Sequence, residues 1–130
     1  MSLILPIADD PGWIIIVGLF LYTMGLSIAI TGRIQLGSNW ANIEEIEVTS
    51  KQKLVNRGIY KFIRHPIYTG DAFLILGLQL ALNSWLILFI IPLALVIFNQ
   101  ARMEERILTQ ALPDYSTYQK GTKMFLPFIF

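Results

Sequence analysis

AFLILGLQLALNSWLILFIIPLALVIFNQA, residues 72–101, carries no charged side chain from one end to the other. A single helix needs about 20 apolar residues to cross ~30 Å of hydrocarbon, so this run is long for one span and short for two. Asn83-Ser84 is its best break, because it brings polar turn chemistry and is followed by Trp85, whose indole suits a membrane interface. The pattern predicts a helical hairpin, with helices over 66–82 and 85–106; a single helix and a re-entrant loop are the competing readings. Pro66 fits a first helical turn, where its missing N–H costs nothing. Pro92 lies inside the later helix and is expected to kink it.

Upstream, WIIIVGLFLYTMGLSIAI at 13–30 is also uncharged and predicts a first membrane helix over 13–31. A signal peptide would need a basic start. Here Asp9 and Asp10 precede the run and no lysine or arginine does. The 55% hydrophobic content exceeds the roughly 45–50% of soluble domains, and mean hydropathy is +0.59. An integral membrane protein is expected. Cysteine is absent, which excludes disulfides, thiolate metal sites and cysteine nucleophiles. A net charge of +1 gives no reason to invoke nucleic acid.

The basic residues are informative by position. Arg33, Lys51, Lys53, Arg57, Lys61 and Arg64 separate the apolar runs, and Arg102, Arg106, Lys120 and Lys123 follow them. Three crossings would put all of these on one face, which the positive-inside tendency makes cytoplasmic, with the N-terminus outside. Between the runs, alternating Ile43, Ile46 and Val48, then Leu54 and Val55 after a polar turn, suggest a β-hairpin or flap over 41–58. The stretch 113–130 reads as an interfacial C-terminal helix and tail, with Tyr115 and Tyr118 as headgroup-level anchors. The fold expected is therefore all-α and membrane-integral, with about three transmembrane helices, a short cytoplasmic flap and an interfacial tail.

Ionisable groups at membrane helix ends tend to face a bundle interior or cavity. Antiparallel packing of the hairpin helices would bring Arg64, His65 and Tyr68 at the start of one beside Glu104 and Glu105 at the end of the other. A plainer reading stays open: a snorkelling arginine, an interfacial histidine, and a solvated acidic helix end. Asp71 is explained by the helix dipole. No metal site is expected, since one histidine and two carboxylates about 100° apart on a helix do not make a usual set.

LVNRGIYKFIRHPIYTGD at 54–71, then EERIL at 104–108, YSTY at 115–118 and LPFI at 126–129, with LGSNW at 36–40 as lead-in, resembles the isoprenylcysteine carboxyl methyltransferase family and its phospholipid methyltransferase relatives. The resemblance covers about residues 36–130. It implies an integral membrane enzyme that binds S-adenosylmethionine and releases S-adenosylhomocysteine. By motif, it implies cofactor contacts from Gln52, Lys53, Leu54, Val55, Tyr60, His65, Pro66, Ile67, Tyr68 and Glu104. Glu104 and Arg102 are the expected catalytic residues, acting by positioning, since a sulfonium methyl needs an aligned nucleophile more than a general base. Gln100 and Arg102 are the expected acceptor contacts. The family's arginine four residues before the first glutamate is Gln100 here, and Gly121 stands between Lys120 and Lys123 where relatives carry a basic residue; Arg102, Lys120 or Lys123 are candidate substitutes.

The acceptor implied is small and lipophilic, entering from the bilayer, with an isoprenylated cysteine carboxylate as the leading candidate. The alternatives are a phospholipid or amine N-methyltransferase and a non-catalytic membrane assembly subunit that keeps the fold. The partners expected are the bilayer and the lipophilic substrate, and completion of the acceptor cavity by a second protomer is left open.

Overall fold

The computed structural model describes residues 6–37 and 55–130, and all regular structure among them is helical. Helix α1 spans Gly12–Leu36, α2 Pro66–Ala81, α3 Ile90–Ala111 and α4 Tyr115–Lys120; short 3-10 turns cover Gly58–Lys61 and Trp85–Phe89. Most of the expected flap, 41–58, lies outside the described residues. Residues 55–57 and the 3-10 turn that follows contain no strand.

Among the described residues, two stretches are long and apolar enough to cross a membrane, Gly12–Leu36 and Trp85–Ala111. Only 22% of the apolar window of the first and 6% of that of the second is buried within the protein. A soluble core helix would be mostly covered. Here Ile16, Leu19, Phe20, Phe89, Ile91, Leu95 and Val96 all face outward, as surface bathed by hydrocarbon does. Helix α2 is shorter, 16 residues, or about 24 Å at 1.5 Å per residue.

What fixes α2 is a seam of small residues. Gly18, Gly25 and Gly32 recur every seven positions on α1, and Gly70 and Gly77 do so on α2. The helices run antiparallel with these glycines meshed: Gly18 faces Gly77 and Ala81, Gly25 faces Gly70 and Leu74, and Gly32 faces Pro66 and Ile67. Lipid tails are as apolar as leucine, so membrane helices associate through close packing rather than through the hydrophobic effect. Glycine permits that approach. By contrast α2 and α3 touch only sparsely along their lengths.

Asn83 supplies the turn after α2. It adopts φ +52°, the left-handed region asparagine tolerates. Its Oδ1 accepts from the N–H of Ile7 at 3.0 Å and Ala8 at 3.1 Å, while its Nδ2 donates to the Ala8 carbonyl at 2.8 Å. The break at Asn83-Ser84 thus pins the segment leading into α1. Asn83→Ala removes three bonds of about 1 kcal/mol each and a tolerated backbone conformation. The expected result is a destabilisation of about 2–4 kcal/mol, with amide exchange rising first at Ile7 and Ala8.

Pro92 corrects an expectation. The 3-10 turn Trp85–Phe89 delays the start of α3 to Ile90, so Pro92 falls in the first turn, where no carbonyl four residues back awaits a helical N–H. The mid-helix kink expected there has no cause.

Candidate functional site

The site is assembled at the end where α1 and α3 finish and α2 begins. Gly58 starts the 3-10 turn at φ +61°, with its Cα face against the Gln35 amide. Gln35 Oε1 accepts from the Ile59 N–H at 2.8 Å, and the Tyr60 hydroxyl donates to the Gly32 carbonyl at 3.0 Å. Both bonds dock the turn onto the last turn of α1. Residues 62–65 then run beside 123–124: Lys123 N–H donates to Phe62 O at 3.0 Å, Arg64 N–H to Lys123 O at 2.8 Å, and His65 N–H to Met124 O at 3.0 Å. This pairing delivers Arg64 and His65 to the mouth of α2, with Pro66 at its first position.

Tyr115 and Tyr118 behave differently from interfacial anchors. Tyr115 is buried, and the Tyr118 hydroxyl donates to the Tyr60 carbonyl at 2.7 Å. Burial pushes the phenols of Tyr60, Tyr115 and Tyr118 well up from the ordinary tyrosine range. The headgroup role expected of Tyr115 is corrected by its burial, while the Tyr118 hydroxyl is held by the 3-10 turn.

The adjacent carboxylates of α3 part ways. Glu105 is surrounded by donors: Arg64 Nε at 2.5 Å and His65 Nε2 at 3.0 Å from one oxygen, Gln119 Nε2 at 3.3 Å from the other. Arg64 Nη1 also lies 3.0 Å from the Gln119 carbonyl, 2.9 Å from that of Thr122 and 3.2 Å from the Thr122 hydroxyl. It thereby caps the carbonyl end of α4, where a cation is favoured. One guanidinium ties α3, α4 and the loop before α2 into a single knot.

Glu104, about 100° around the helix, faces α2 instead. It accepts a very short hydrogen bond from the Tyr68 hydroxyl, and Gln100 Nε2 stands 3.4 Å from the same oxygen, Oε1. Glu104 is 5% exposed. The only fully buried side-chain polar atom without a partner among the described residues is Gln79 Oε1. Glu104 Oε2 accepts no hydrogen bond from a described residue, which leaves that lone-pair capacity to a ligand or water. A carboxylate with one oxygen held and one free suits a ligand that presents hydroxyl or amino donors, as the ribose and amino-acid ends of S-adenosylmethionine do. The His65 ring walls this side, with Tyr68 at 5.8 Å and Phe125 at 5.7 Å between centroids, and Phe98 and Phe130 stack beyond it.

Of the residues expected at a site, Tyr60, His65, Pro66, Tyr68, Gln100 and Glu104 are brought together at this end. Ile67 packs toward Gly32 of α1, and Val55 is half-buried in the extended stretch before the 3-10 turn. Gln52, Lys53 and Leu54 lie outside the described residues. Arg102 is exposed, with its guanidinium 5.7 Å from the Phe98 ring centroid; two positions from Glu104 on a helix means about 200° of rotation. The structure does not bring Arg102 to Glu104. The roles of Arg64 and Glu105 had a signal in the sequence, since each adjoins a site candidate. Those of Gln119 and Thr122 had none, because their backbone carbonyls do most of the accepting.

A sequence profile of the phospholipid methyltransferase family matches residues 13–114. The chain is 31% identical over 120 residues to the cobalt-zinc-cadmium resistance protein CzcN of Cupriavidus metallidurans, covering 91% of this chain and 53% of that protein. It is 30% identical to the protein-S-isoprenylcysteine O-methyltransferase of Xenopus laevis, covering 90% of this chain and 42% of that one. Among solved structures, the eukaryotic intramembrane Ras methyltransferase (isoprenylcysteine carboxyl methyltransferase) superposes with a TM-score of 0.79 at 28% identity, over 90% of this chain and 43% of its own. The chain spans about half the length of the curated relatives it matches. With most of its length inside the family profile and its fold shared with a membrane-embedded methyltransferase, this integral membrane chain belongs to the phospholipid methyltransferase family.

Proposed function

We propose that the chain is an S-adenosylmethionine-dependent methyltransferase that modifies a lipophilic acceptor dissolved in the bilayer. The observation that carries this reading is Glu104: a nearly buried carboxylate, fixed by Tyr68 from a second helix, with one oxygen left for a ligand. The bound cofactor supplies a methyl group already activated on sulfonium sulfur. The chain's own part is to bind, orient and exclude water, which is where most of the rate advantage of such a transfer resides. Glu104 would hold the cofactor's hydroxyl or amino donors, Tyr68 would keep that carboxylate in place, and the His65 ring would wall the pocket while its Nε2 stays on Glu105. Val55, Tyr60, Pro66 and Ile67 shape the same end, and Gln52, Lys53 and Leu54 are proposed to close it.

The alternating directions of α1, α2 and α3 support three crossings, with the basic end cytoplasmic and the N-terminus outside. A water-soluble donor then arrives from the cytoplasm and the acceptor sideways between α2 and α3, which pack sparsely. The relatives' names favour an isoprenylated cysteine carboxylate as acceptor. A phospholipid-type amine is the second reading. It is favoured by the neutral Gln100 beside Glu104 and by Arg102 lying over Phe98 instead of beside Glu104.

Titration of the purified protein in lipid nanodiscs with S-adenosylhomocysteine tests the donor site, and saturable binding is expected. Transfer of labelled methyl groups to a prenylcysteine analogue, compared with an amine phospholipid, then separates the acceptors. Absence of both binding and transfer by a well-folded sample would remove the enzyme reading and leave the assembly subunit.

A further inference from the structure

Beside the Arg64 knot, with which it shares Thr122, lies an open cleft of about 390 Å³ whose lining includes Asn56, Lys61, Phe62, Thr117, Tyr118 and Thr122. That volume falls within the ~300–1,000 Å³ of small-molecule clefts. The methyl-transfer reading makes no use of it. Its polar wall is one ammonium, one carboxamide and three hydroxyls, of which those of Tyr118 and Thr122 already donate to the Tyr60 and Tyr118 carbonyls, and no described residue forms an ion pair with Lys61. Its other wall is apolar and continues outward: the Phe62 ring meets Phe128 edge-on at 6.0 Å, and Phe128 and Ile129 are 83% and 75% exposed. Phe128 is held outward at φ +64°, a conformation a bulky residue adopts only under constraint. The constraint is a turn closed on itself, with the Phe125 and Leu126 N–H groups donating to the Phe130 carbonyl at 2.7 and 2.9 Å.

We propose that this cleft is a binding site for an anionic phospholipid, whose phosphate seats against Lys61 and the Thr117 hydroxyl while its acyl chains run over Phe62 and Phe128. A free inorganic anion would satisfy the cation but leave the aromatic patch bare, whereas hydrocarbon covers it. Basic residues beside a membrane surface attract anionic lipid at about 1 kcal/mol each, and Lys61 adds a cavity that fixes where the headgroup sits. The site is separate from the proposed cofactor pocket but not isolated from it. Tyr118 at the cleft floor holds the Tyr60 carbonyl, and Thr122 holds Arg64. A lipid seated there braces the same loop from behind.

Native mass spectrometry of the full chain, released from micelles containing phosphatidylglycerol or phosphatidylcholine of equal acyl length, tests the proposal without needing the cofactor. The wild type should retain phosphatidylglycerol in preference to phosphatidylcholine. Lys61→Ala should reduce that preference about fivefold, the worth of one cation at an anionic surface, Lys61→Arg should restore it, and Phe62→Ser should weaken retention of both lipids. Arg106→Ala, which removes an exposed cation outside the cleft, should leave it unchanged. Equal losses from Lys61→Ala and Arg106→Ala would reduce the effect to diffuse surface charge and overturn the site. Displacement of phosphatidylglycerol by millimolar inorganic phosphate would overturn the lipid assignment, as would equal retention of the two lipids by the wild type.

Discussion

Alanine in place of Gly25 is expected to destabilise the protein by about 3 kcal/mol or more, the upper end of ordinary overpacking, and leucine there should abolish a folded state altogether. A methyl carbon at this position would stand 2.5 Å from the Gly70 carbonyl oxygen and closer still to the Leu74 nitrogen. Both obstacles are backbone, so no rotamer change on α2 makes room. Relief requires the helices to separate, and separation breaks the meshing at Gly18–Gly77 and Gly32–Pro66 along with it. Gly70→Ala meets the mirror-image obstacle, 2.6 Å from the Gly25 carbonyl oxygen and 2.5 Å from the Ala29 nitrogen. Gly12→Ala is the control, because the nearest atom lies 4.0 Å away on a flexible aspartate. Thermal unfolding in detergent should show a large drop for the first two variants and almost none for the third. Equal midpoints for Gly25→Ala and Gly12→Ala would mean that the seam contributes nothing.

That seam also shows where a reading of the sequence stops. The apolar runs are legible because charge is absent over whole spans, and the interruption at Asn83 is legible because asparagine tolerates the left-handed backbone it adopts. The convergence of Tyr68 and Glu104 follows from reversing chain direction once at that turn. The glycines were equally visible, seven residues apart in both helices, but hydropathy counts them as mildly apolar and registers no event. Their meaning lies in what they allow to approach, which is a property of the partner helix. The same limit explains Arg102. Its place in the sequence, two residues from Glu104, makes it a neighbour on paper, and the helical period carries it to the opposite face over Phe98. Tyr115 looked like an anchor since its neighbours are polar, yet α4 folds back and buries it.

Glu104 and Glu105 should fail in opposite ways when truncated. Glu105→Ala leaves the Arg64 guanidinium, whose side chain is 10% exposed, without its carboxylate. Removing one partner of a buried ion pair costs about 3–5 kcal/mol, because the charge left behind is neither paired nor hydrated. Carbonyls of Gln119 and Thr122 still accept from Arg64, but they carry no countercharge, and the loop holding His65 loses its tie to α3. The expected outcome is a poorly folded protein whose loss of ligand binding follows from loss of structure. Glu104→Ala removes a carboxylate that receives only Tyr68 and a distant Gln100 amide, and no buried cation is stranded. Its fold should survive with a modest loss, while S-adenosylhomocysteine affinity falls by about 10- to 100-fold, the worth of a hydrogen bond to a charged group at 1.5–3 kcal/mol. Thermal unfolding and titration measured on the same preparations separate the two cases. A Glu104→Ala protein with wild-type stability and wild-type affinity would mean that the open carboxylate oxygen faces no ligand, and the cofactor would have to be placed elsewhere at this end of the bundle.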